Sequence, residues 1–88
     1  MNAAEIMSAH ALGRSLAGAR IENCDLRGKR LDGIDLSQAK LSNVAFDGAS
    51  LREARFTGAQ IASCSFAGAV LEGARLDGAV LAGVDMRE

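Results

Sequence analysis

The chain has 88 residues, 49% of them hydrophobic and 3% aromatic, and carries a formal net charge of −1 from 10 basic and 11 acidic side chains. That balance argues against a general nucleic-acid or membrane-surface binder, which would carry a basic excess. No apolar run approaches the ~18 residues of a membrane span, and no basic stretch leads into a signal-like apolar segment, so neither a transmembrane helix nor a secretory leader is expected. Residues 1–13 then read as a short helix. Asn2 followed three residues later by Glu5 has the form of a capping box. Ile6, Met7, His10 and Leu12 fall near one helical face, and Gly13 is a suitable C-terminal stop.

From Leu16 onward every fifth residue is large and apolar: Leu16, Ile21, Leu26, Leu31, Leu36, Leu41, Phe46, Leu51, Phe56, Ile61, Phe66, Leu71, Leu76, Leu81 and Met86. A period of five is neither the 3.6 of a helix nor the 2 of a strand. It marks a chain built from identical five-residue units. Two residues before each large position a small side chain is usual, as in Ala19, Cys24, Ala39, Val44 and Ala49. Two residues after it Gly is common, as in Gly18, Gly28 and Gly33. The remaining columns carry charge and hydroxyls. The pattern predicts a coil in which the large and small side chains face the axis, with Gly where the chain turns. Stacked units let a small chain bury a core that a globule of this length struggles to build.

The units Ala49-Ser50-Leu51-Arg52-Glu53, Ala69-Val70-Leu71-Glu72-Gly73 and Ala74-Arg75-Leu76-Asp77-Gly78 resemble the A(D/N)LXX motif of the pentapeptide-repeat family. The likeness runs through residues 14–88. It implies an all-β fold, a right-handed quadrilateral β-helix with four units per coil. The expected organisation is a capping helix over residues 1–13 and a β-helix over 14–88, about 3.7 coils long.

Four units per coil would stack positions 20 apart. Leu16, Leu36, Phe56 and Leu76 then share one side, and Leu26, Phe46, Phe66 and Met86 another. Asp32, Arg52 and Glu72 form a surface ladder of alternating sign, and Arg27 sits below Asp47. Arg20, Lys40 and Gln60 make one side mildly basic near the N-terminus. Arg14 and Lys29 occupy small-residue positions, and their charged ends are expected to escape past the column or under the helix, with Glu5 as a partner.

Toward the C-terminus the outward columns turn apolar at Ala67, Val70, Val80 and Ala82. An open edge beside apolar surface points to an interface. The candidate residues are Val70, Leu71, Leu76, Val80, Leu81, Val84 and Met86. Two copies stacked end to end, another protein, or excision from a longer chain would each account for them. A two-fold homodimer through the C-terminal coil is favoured, being the commonest closed assembly, and the family resemblance agrees.

No catalytic, cofactor or metal constellation emerges. His10 is the single histidine and reads as a half-buried cap residue. Cys24 and Cys64 sit in the small inward column, where packing explains them, and they suggest reduced thiols in a cytoplasm. Gly28-Lys29 lacks the rest of a phosphate loop. The expected function is a non-enzymatic protein–protein interaction or scaffold module. The alternative, implied by the family resemblance, is a DNA mimic that regulates or protects DNA gyrase and so confers quinolone resistance.

Overall fold

The five-residue period becomes a four-sided coil in the computed structural model, which describes residues 1–86. Residues 87–88, the end of the expected final unit, lie outside the described residues. Each coil makes a right-handed circuit and lays its strands parallel on those of the coil before. One side carries regular strands: β1 (Arg20–Asp25), β2 (Lys40–Ala45), β3 (Gln60–Ala62) and β4 (Val80–Ala82), hydrogen-bonded in that order. Their register pairs Ile21 with Leu41, Leu41 with Ile61 and Ile61 with Leu81, always 20 residues apart as the repeat predicts. The other sides are joined by single bridges at the same offset, Arg30 to Ser50 to Val70 and Asp35 to Arg55 to Arg75.

The corners explain the glycine column. The residue two after each large apolar position from Leu16 to Leu81 takes a left-handed backbone: Gly28 at φ 68° and Gly48 at φ 68°, but also Asn23 at 53°, Asn43 at 54° and Glu53 at 59°. Glycine adopts this conformation without steric cost, and Asn tolerates it better than most. The Asn43 amide Nδ2 donates to Asn23 Oδ1 of the previous coil at 2.8 Å, so that corner gains a cross-coil bond that glycine would not supply.

The core is one column. Ile21, Leu26, Leu31, Leu36, Phe46, Leu51 and Phe56 are fully or almost fully buried beside Ala39, Ala49, Ala54 and Ala59 from the small positions. Each large side chain contributes about 1.5–3 kcal/mol by leaving water. Phe46 stacks on Phe66 at 4.8 Å and 7°, and Phe56 meets both edge-on at 6.1 and 5.8 Å. Ile34 occupies a small position and is nevertheless buried, so the column accepts a branched residue there. Lys29 and Arg14 are exposed, as their charge requires.

Helix α1 (Ala3–Ala11) lies over the first coil. Asn2 Oδ1 accepts from the Glu5 N–H and Glu5 Oε1 accepts from the Asn2 N–H, both at 2.8 Å, which completes the capping box. Glu5 is thus engaged in the cap, and no ion pair to Lys29 or Arg14 is seen among the described residues. Ile6 is fully buried in the core, with Ala3, Met7 and Ala9 packed against it. Leu12 departs from the expected apolar face. The helix ends at Ala11, Leu12 becomes its C-cap, and its side chain is 67% exposed.

Candidate interaction surface

The inward columns are spent on packing, so any site must lie on the four outer sides or on the layers at the two ends. Several polar groups on the outer sides bond to one another, although Asp47 Oδ1 is buried without a hydrogen-bond partner. Asp25 first accepts the Arg27 N–H at 3.1 Å, closing its own turn, and then takes the guanidinium at 2.8 Å on each oxygen. These bonds hold its carboxyl down at about 2, from an ordinary 3.8. The expected pairing of Arg27 with Asp47 one coil up gives way to this shorter loop. The alternating ladder forms only in part. Arg52 Nε stands 3.7 Å from Glu72 Oε1, while the Asp32 carboxylate accepts from the Ser50 hydroxyl and the Arg52 backbone N–H. Those bonds, the Ser50 hydroxyl foremost, lower the Asp32 pKa. Asp35 is lowered by the Ser37 hydroxyl and N–H, with the Ser15 hydroxyl of the coil below also donating at 2.9 Å.

The basic side noted in the sequence is an open depression of about 200 Å³ lined by Arg20, Glu22, Lys40, Leu41, Gln60 and Ala62. Glu22 places a carboxylate among its two cations. His10 is half-buried at the foot of α1, beside Arg14, Ser15 and Asp35. Cys24 and Cys64 are buried free thiols in the inward column, and burial pushes both above the usual thiol range. Cys24 Sγ lies 3.5 Å from the Met1 carbonyl, a contact no repeat arithmetic reveals. Among the described residues no three His, Cys, Asp or Glu side chains are grouped to hold a metal ion. No described helix is long and apolar enough to cross a membrane.

The C-terminal layer differs from everything before it. Val70, Val80, Leu81 and Met86 are 37, 61, 43 and 41% exposed, and Leu71, Leu76 and Val84 are half-buried. The counterparts of Leu71, Leu76, Leu81 and Met86 one coil earlier, Leu51, Phe56, Ile61 and Phe66, are at most 3% exposed, whereas Val70 and Val80 lie above the outward Ser50 and Gln60. All seven candidate residues thus fall in or beside one layer. Phe66 and the half-buried Ala69 mark where the closed core gives way to it.

Comparison with known proteins agrees with this geometry. A family model described as "Pentapeptide repeat region" matches residues 9–76. Among solved structures, the pentapeptide repeat protein Rfr23 from the cyanobacterium Cyanothece 51142 superposes with a TM-score of 0.70 at 20% identity, over 82% of this chain and 53% of that one. The chain therefore spans about half the length of that neighbour. HetL of Nostoc sp. strain PCC 7120, a protein involved in heterocyst differentiation regulation, matches at 29% identity and a TM-score of 0.46, over 73% of this chain and 35% of that one. The pentapeptide repeat protein alr5209 from Nostoc PCC 7120 matches at 21% identity and a TM-score of 0.37, over 96% and 94% of the two chains. No curated relative matches the chain.

Proposed function

The chain belongs to the pentapeptide-repeat family, and on that premise we propose that it is a non-enzymatic protein–protein interaction module that docks through its C-terminal layer onto a second copy of itself. The observation that carries this reading is the exposure of Leu81 and Met86 at the end of a column whose interior is closed to water, with the outward-facing Val80 beside them. Apolar side chains gathered at one end of a rigid coil gain free energy by burial against a matching surface. A second copy always supplies such a surface, and a two-fold contact closes the assembly at two. The DNA-mimic reading has no observation in its favour, since Asp25 and Glu72 each face an arginine instead of forming a negative stripe. A cytoplasmic setting belongs to the same proposal, supported by the two free thiols.

The test is light scattering from micromolar concentrations upward. Wild type is expected to be a dimer, and Leu81→Asp and Met86→Lys are expected to be monomers with an unchanged β-type circular dichroism spectrum. A wild-type monomer at every concentration overturns the proposal.

A further inference from the structure

The coil has a direction in its hydrogen bonds as well as in its chain. In the units around Leu31 and Leu51, two N–H groups donate forward to carbonyls of the next coil, and one carbonyl accepts from it. Leu31 and Gly33 donate to the carbonyls of Ser50 and Arg52 at 2.8 and 2.7 Å, while Ser50 N–H donates back to Lys29 at 2.9 Å. The pattern repeats one coil up, where Leu51 and Glu53 donate to Val70 and Glu72 at 2.8 and 2.9 Å and Val70 N–H returns to Ala49 at 2.9 Å. By this repeat the leading rim on that side of the coil offers two donors and one acceptor, and the trailing rim offers two acceptors and one donor. Two leading rims brought together hold four donors for two acceptors on that side, so at least two donors stay unmatched. A leading rim and a trailing rim match fully. A two-fold contact between C-terminal layers therefore leaves some donors unmatched and leans on apolar side chains, whereas a fully matched ladder forms head to tail. Helix α1 prevents the second arrangement, because Ile6 seals the core at the trailing rim of the first coil.

We propose that α1 is a removable stopper, and that its displacement lets copies of this chain stack head to tail, each first coil adding in parallel register to the C-terminal layer of the next. The occupant of the layer is again a second copy, so the inference shares that surface with the function proposed above but not the arrangement. A heterologous contact of this kind does not close, and it grows a filament. Exposed rims of parallel strand are templates for such addition.

The experiment uses the full chain with Ile6→Asp, which places a charge in the buried seat of α1. Sedimentation velocity should show species that grow with concentration well beyond a dimer, with the β-type spectrum retained. Adding wild type should shorten them, because its sealed trailing rim ends growth on that side. Ile6→Asp combined with Leu81→Asp should not grow. Ile6→Ala with Met7→Ala, a milder loosening, should grow more slowly. If the variants keep the β spectrum and remain at the wild-type stoichiometry, the proposal fails. It fails equally if both Ile6 variants lose the β spectrum, because an uncapped folded copy then does not exist. Wild-type stoichiometry reports on the two-fold contact alone, so the two proposals stand or fall separately.

Discussion

At the scale of single residues the balance is set by volume in the core and by local bonds outside it. Phe46 is fully buried, stacked on Phe66 and edge-on to Phe56. Its replacement by Ala removes the transfer energy of the ring and leaves a cavity that the neighbouring coils cannot close. The expected cost is about 3–5 kcal/mol, a large part of the stability of a small domain. Thermal unfolding checks this, and an unchanged melting temperature would place Phe46 outside the core. Asp25 gives a pH prediction. Its folded pKa is about 2, below the ordinary 3.8, so its contribution is present above that ordinary value and is lost as pH falls toward 2. Asp32 and Asp35 shift in the same direction and share the acid limb. Asp25→Asn should flatten the melting temperature against pH in that window, and a carboxyl titration of Asp25 centred at the ordinary value would contradict the Arg27 bonds. The sequence reading set Arg27 against Asp47, and the structure corrects it to Asp25. Arg27 has one carboxylate two residues back and another 20 ahead, and only the corner geometry, with the Arg27 N–H already on Asp25, decides for the nearer.

At the scale of elements, the repeat column was fully legible, because each unit obeys the same steric demand at the same place. The left-handed corner, the small inward position and the large one recur every five residues, and the offset of 20 follows once four units close a circuit. What was not legible are the departures. Ile34 looks wrong for a small position, yet the column there has room for it. Leu12 has the right helical phase but lies beyond the last helical residue, where phase no longer governs direction. The capping box was readable because both partners lie within one turn. Asn2→Ala removes the acceptor for the Glu5 N–H and should cost about 1 kcal/mol. The loss should appear as faster amide exchange across residues 3–11 before any change in β3. Equal exchange in helix and coil would mean that α1 and the coil unfold as one unit irrespective of the cap.

At the scale of the whole molecule, the two ends are unequal. One is sealed by Ile6 under α1, and the other presents Val80, Leu81 and Met86. The capping helix was anticipated from Asn2 and Glu5 and the outward apolar positions from the sequence columns, whereas the donor-rich character of the open rim needed the hydrogen bonds themselves. The central claim is that this end is a docking surface. Small-angle X-ray scattering of wild type over a concentration series tests it most directly. A single copy has a Cα radius of gyration of 11.1 Å within extents of 29 × 25 × 23 Å. The account predicts a radius well above that value with an elongated profile, collapsing to the single-copy value for Leu81→Asp. A wild-type profile that matches a single copy at every concentration would contradict it.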